Sequence, residues 1–175
     1  LYAAPRRGPR VIVPGDSFTT NNPGMWTTAF MDALGWDDVW NSGVGGTGFV
    51  ANNGGASKTI GERIATDVLP FDPEIVYFMG SVNDWGQDPA LVETAAKGAA
   101  QEAGSKGALV LGGMNANGGV EKMWSNALDV MDATKAGIEA GGGVWLNAIE
   151  MPLRGEAPSG TLEAFNRSAG NSDIY

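Results

Sequence analysis

Three short stretches hold residues whose types could do chemistry together. Gly15-Asp16-Ser17 closes a β-branched run, Val11-Ile12-Val13, and offers a hydroxyl. Asn41-Ser42-Gly43-Val44-Gly45-Gly46-Thr47 offers backbone N–H groups with little side chain in the way. Gly80-Ser81-Val82-Asn83-Asp84 offers a side-chain amide. A hydroxyl beside preorganised N–H donors is the inventory for acyl transfer: a nucleophile, and groups that hold the oxyanion. Each residue also has a plainer reading. Ser17 alone fits a turn or a helix N-cap. Asn83 alone fits an amide that only braces its loop. Asp16 and Asp84 could pass for a carboxylate pair, but each reads better as an acceptor of backbone N–H bonds that holds its own loop.

These stretches act together only if the fold gathers them. Val11 to Val13 suit a buried strand. Pro14 has no N–H for a ladder, so the strand is expected to stop there. A helix is expected over 25–34, with Trp26, Ala29, Phe30 and Ala33 on one face and Gly35 past its end. A strand over 38–41 follows, then a loop over 42–55, then a helix over 60–69 that stops before Pro70. Glu74-Ile75-Val76-Tyr77-Phe78-Met79 is the strongest strand, nearly all apolar, as a central parallel strand should be. Pro89 opens a helix over 89–103, with Gly104 behind it. A strand over 108–111 is expected to close at Gly112-Gly113. A long helix over 121–140 carries Trp124, Leu128, Met131 and Lys135 on one face, with Gly137 as a weak point. A strand over 144–147 and a short helix over 161–167 complete the chain. Trp26, Trp124 and Trp145 read as core; Trp85, on the loop beside Asn83, reads as a pocket wall or an exposed rim.

Strands alternating with helices mean a parallel sheet covered on both faces. The expected architecture is a three-layer α/β/α sandwich with about five strands, flavodoxin-like. In such sheets ligands bind at the strands' C-terminal edge, where all three stretches would lie.

Composition narrows the chemistry. The 175 residues fit one domain, and a hydrophobic content of 43% supports a core. A net charge of −9 argues against a nucleic-acid partner, since phosphate binding needs a basic face. No apolar run is long enough to cross a bilayer. There is no Cys and no His, so neither a thiolate metal site nor a Ser–His pair can be built from these residues, and no metal or other cofactor is expected. Gly43-Val44-Gly45-Gly46-Thr47-Gly48 also satisfies the dinucleotide pattern, but Phe49 onward is a poor helix start and the pattern needs one. The α/β-hydrolase elbow, Gly-x-Ser-x-Gly, is absent at Ser17. Residues 1–10 read as a linker and 11–175 as the domain. Its last residues read as the start of another element, so the domain is expected to be incomplete at its C-terminus and part of a longer product.

In order and position, Gly-Asp-Ser, then Asn-x-Gly-x-Gly-Gly-Thr, then Gly-x-x-Asn-Asp resembles the SGNH/GDSL hydrolases, a family of small α/β/α esterases and lipases. The resemblance covers about residues 10–150. It implies Ser17 as nucleophile. It implies an oxyanion hole made of the Ser17 N–H, the Gly46 N–H and the Asn83 amide, with Gly43 as the alternative to Gly46. The family's fourth block, Asp-x-x-His, supplies the base and its orienting carboxylate; it is missing here, and Asp173 is only a weak substitute. The expected base therefore lies beyond Tyr175, and this chain alone is expected to be nearly inactive. The implied substrate is a small-molecule or carbohydrate ester, with an acetyl group favoured. A different class of reading makes the fold a non-catalytic binding module in a surface or virion assembly, and an extracellular or surface location is favoured over the cytoplasm.

Overall fold

The computed structural model describes residues 8–20, 27, 32–114 and 126–146. Among the described residues, five strands form one parallel sheet: β1 (Val11–Gly15), β2 (Val39–Gly43), β3 (Ile75–Gly80), β4 (Leu109–Met114) and β5 (Val144–Trp145). Their order is β2-β1-β3-β4-β5. This is the flavodoxin-like order, whose direction of winding reverses between β1 and β3.

Pro14 does not end β1. The strand runs on to Gly15, with Pro14 paired to Ser42. The reason is directional. Val11 N–H donates to Asp38 O and Gly15 O accepts from Val44 N–H, so the odd residues serve β2. Pro14 belongs to the alternate set that faces β3, and pairing with β3 ends at Ile12↔Val76. A missing N–H costs nothing where the ladder has already ended. β2 likewise extends through Ser42 and Gly43, two residues expected in the loop. β4 runs through Gly112-Gly113 rather than closing there. These glycines serve packing: a Cβ at Gly113 would meet the Tyr77 hydroxyl at 2.3 Å, and one at Gly112 would meet Trp145 at 3.0 Å.

Both faces of the sheet bury apolar side chains, as period-2 alternation requires. Ile12, Val76, Phe78 and Val110 face one cluster with Ile64, Met131 and Ile138. Val11, Val13, Tyr77 and Met79 face the other, packed by Phe18 and Trp36. Trp145 joins the first cluster, as expected of a core residue.

The helix expected over 60–69 is broken into pieces. A 3-10 turn at Gly61–Arg63 leads into α1 (Ile64–Asp67), and a second 3-10 turn at Leu69–Phe71 contains Pro70. α2 (Pro89–Gly104) is capped by the Asp88 side chain, which accepts from Ala90 N–H. α3 (Ala127–Ala140) buries Val130, Met131, Thr134, Gly137 and Ile138. Leu128, expected on that face, is 38% exposed, and Lys135 is half-buried. Where α2 comes closest the contact is between small residues: a Cβ at Gly137 would meet the Ala96 Cβ at 2.8 Å, and one at Gly141 the Ala100 Cβ at 2.5 Å. Residues 32–34 are helical and Gly35 ends that turn with φ +65°, but Ala33 is exposed. Trp26, Ala29, Phe30, Trp124, Asn147, Asp173 and the helix over 161–167 lie outside the described residues.

Gly137 is a packing requirement, not a weak point. A Cβ there would sit 2.4 Å from Glu93 O and 2.8 Å from the Ala96 Cβ. Neither can swing aside. Gly137→Ala gains roughly 1 kcal/mol of helix propensity but overpacks a backbone contact, which costs about 1–3 kcal/mol. A net loss of about 1–2 kcal/mol is expected in urea unfolding. A stabilised variant would show that the helices simply move apart.

Candidate active site

The switch point puts the ends of β1, β2 and β3 side by side. β1 ends at Gly15, and a 3-10 turn at Ser17–Thr19 follows at once. The turn's N-cap is Asp16, whose carboxylate accepts from Phe18 N–H at 2.9 Å. The capping role suggested for Ser17 therefore falls to its neighbour, and Ser17 is left exposed. Gly15 admits this tight return, since a Cβ there would meet Thr19 Oγ1 at 2.4 Å.

The glycine-rich loop passes over Ser17. A Cβ at Gly45 would lie 3.7 Å from the Ser17 Cβ. Gly46 has φ +75°, and a Cβ there would press on the Asn53 side chain at 2.9 Å. Among the described residues, neither Ser17 N–H nor Gly46 N–H donates a backbone hydrogen bond. At Gly43 a Cβ would strike the backbone of Asp16 and Thr19 at 2.4 Å. The glycine lets β2 end against the β1 turn.

Asn83 sits on a 3-10 turn, Val82–Asp84, just after β3. Its amide nitrogen is 3.0 Å from Thr47 O, 3.1 Å from Ser81 Oγ and 3.4 Å from Asp16 Oδ2. Thr47 O can only accept, so the amide nitrogen must be the atom facing it. The structure thus joins the first stretch to the third through Asp16, and the second to the third through Thr47.

Asp84 is a loop holder. Oδ2 accepts from Phe49 N–H at 2.7 Å, and Oδ1 accepts from Val50 and Ala51 N–H at 3.0 and 2.9 Å. Gly48 makes room for it: a Cβ there would come within 2.3 Å of the carboxylate. The third glycine of the dinucleotide-like pattern therefore serves a carboxylate, and no helix opens there. Burial pushes the Asp84 carboxyl above its ordinary range, against the pull of its three N–H bonds, with the Asp16 charge adding a smaller push. Burial raises Asp16 as well, opposed by the Phe18 N–H and the Ser81 hydroxyl.

Three contributors went unread in the sequence. Ser81 is 2% exposed, and its hydroxyl lies 2.8 Å from both Asp16 Oδ2 and Thr47 O. Thr47 supplies the shared carbonyl. Arg63 is 5% exposed and ties the first stretch to the second, donating to Gly15 O at 2.9 Å and to Ser42 O at 2.7 Å. Its signal was a lone basic residue between Ile60 and Ile64, on the buried side of the turn. Trp85 is half-buried against both the main core and the Val92–Val130 cluster. Among the described residues, no group of three His, Cys, Asp or Glu could hold a metal ion. No helix there is long and apolar enough to cross a membrane.

A parallel five-stranded sheet with this order and this edge has the fold of the SGNH/GDSL hydrolases. The chain superposes on an acetyl xylan esterase from Geobacillus stearothermophilus with a TM-score of 0.62, at 15% identity, over 96% of this chain and 97% of that one. It superposes on AlinE4, an SGNH-hydrolase family esterase, with a TM-score of 0.61 at 15% identity, over 95% of each chain. A lipase/acylhydrolase from Enterococcus faecalis gives 0.60 at 18% identity, over 87% of this chain and 81% of that one. No family model matches the sequence, and a comparison with curated proteins returns no match.

Proposed function

We propose that this chain carries the nucleophile and the oxyanion hole of a serine ester hydrolase. The observation that carries the reading is Ser17: exposed, at the C-terminal end of a strand flanking the switch point, under a glycine-rich loop. Ser17 Oγ attacks the acyl carbonyl and gives its proton to a base. The tetrahedral oxyanion is held by Ser17 N–H, Gly46 N–H and one Asn83 amide hydrogen. Collapse expels the alcohol, which takes up a proton. Water then attacks the acyl-serine and releases the acid. Asp16 and Asp84 hold the loops and stay out of the bond changes.

The substrate proposed is a small acyl ester, with an acetyl group on a carbohydrate favoured. The support is an open loop edge rich in glycine, together with the acetyl xylan esterase among the structural neighbours. The base is the missing part, because these residues include no His. Losing triad members costs on the order of 10⁴–10⁶ in rate, leaving roughly 10³–10⁴ over water from the oxyanion hole and binding. The 175-residue chain should therefore hydrolyse p-nitrophenyl acetate no faster than that residual level. Full esterase turnover by this chain would overturn the assignment.

A further inference from the structure

The Asn83 amide nitrogen faces Thr47 O, Ser81 Oγ and Asp16 Oδ2, and its two hydrogens must be accounted for. Thr47 O, Ser81 Oγ and Asn83 Nδ2 lie 2.8, 3.0 and 3.1 Å from one another. Two oxygens 2.8 Å apart cannot each align with a different amide hydrogen, so one hydrogen is assigned to the pair. The second amide hydrogen, on the other side of the planar group, has only the 3.4 Å approach to Asp16 Oδ2. That oxygen already has a closer donor, the Ser81 hydroxyl at 2.8 Å. A hydroxyl has one hydrogen. Asp16 and Thr47 O compete for it at equal distance, and the ionised acceptor makes the stronger bond. Ser81 therefore donates to Asp16, and Thr47 O is left to the Asn83 amide. Ser81 Oγ also accepts from Asn83 N–H at 3.1 Å, which fixes the residue's backbone.

We infer that Ser81 is the positioning residue of this site: its hydroxyl satisfies Asp16 and grips Asn83 at backbone and amide, so that one amide hydrogen stays anchored on Thr47 O and the other remains releasable to an oxyanion. The inference rests on the ester-hydrolase reading for its consequence, but not for its geometry. Without the hydroxyl, Asp16 Oδ2 would draw the second amide hydrogen to itself. The oxyanion hole would then lose a preorganised donor without losing its fold.

The test is a double-mutant cycle in the 175-residue chain, with imidazole supplied as base and p-nitrophenyl acetate as substrate. Asn83→Ala should lower kcat by about 10²-fold, the usual worth of one oxyanion donor. Ser81→Ala should lower kcat by about 10-fold with KM unchanged, part of that same donor's worth. Ser81→Thr, which keeps the hydroxyl, should restore it. In the Asn83→Ala background, Ser81→Ala should cost less than about 2-fold, because the residue acts through Asn83. Equal costs in both backgrounds would overturn the inference, as would a silent Ser81→Ala. An NMR readout separates this from the functional reading. The Asn83 side-chain amide pair should shift in Ser81→Ala and return in Ser81→Thr, whatever the activity. An unmoved amide pair overturns the placement. A moved pair with no Ser17-dependent hydrolysis overturns only the enzyme reading.

Discussion

Imidazole added to the 175-residue chain is expected to raise hydrolysis of p-nitrophenyl acetate by about 10²-fold above the sum of the separate rates, at the low end of what a positioned base supplies. Ser17→Ala is expected to abolish that gain. The reason is non-additivity. When a nucleophile and its base act as a unit, removing one costs nearly as much as removing both. In a chain without His, Ser17 is therefore almost idle, and Ser17→Ala alone should change little. A diffusible base restores the unit. Imidazole hydrolyses the ester by itself, so the Ser17→Ala chain at the same imidazole concentration is the proper baseline. The exposed position of Ser17 makes it reachable. An imidazole effect that is identical with and without Ser17 would mean that the hydroxyl is not a nucleophile.

The second large effect is on stability. Asp84→Ala is expected to lose about 3–5 kcal/mol in urea unfolding, since bonds to a charged acceptor are worth roughly 1.5–3 kcal/mol each and do not simply add. Three consecutive N–H groups, from Phe49, Val50 and Ala51, end on this one carboxylate. Phe49 N–H is buried, so nothing replaces its acceptor. The desolvation that raises the Asp84 carboxyl is relieved at the same time, which keeps the loss below the sum of three bonds. Total stability of a domain is about 5–15 kcal/mol, so this is a large share. Asp84→Asn keeps an acceptor for some of the three and should fall between. A loss under about 1 kcal/mol would show that solvent can satisfy that loop.

Much of this was legible from the chain. Ile75-Val76-Tyr77-Phe78-Met79 is apolar at every step, and only a strand buried on both faces needs that. Pro89 marks a helix start, and α2 does open there. That the three loops share one edge was legible because each follows a strand of a parallel sheet, and the Asn83 amide does meet Asp16 of the first and Thr47 of the second. What could not be read was set by contacts between distant residues. Pro14 looks like a strand end until one knows which side of β1 still has a partner. Gly112-Gly113 looks like a stop until Tyr77 and Trp145 are in place. Ser81 meets Asp16 across 65 residues, and Arg63 meets Gly15 O across 48. No spacing rule foretells such pairs. Leu128 is a related case: the helix face was set by what α2 brings to it, not by which residue is most apolar.

Ser17 is the residue on which the proposed chemistry depends. The most direct test is intact-mass and peptide mapping of the 175-residue chain after exposure to a serine-reactive fluorophosphonate in the presence of imidazole. One phosphonyl adduct is expected, carried by Ser17 and absent from Ser17→Ala. An adduct that persists in Ser17→Ala, or a chain that stays unlabelled while imidazole is present, would contradict it.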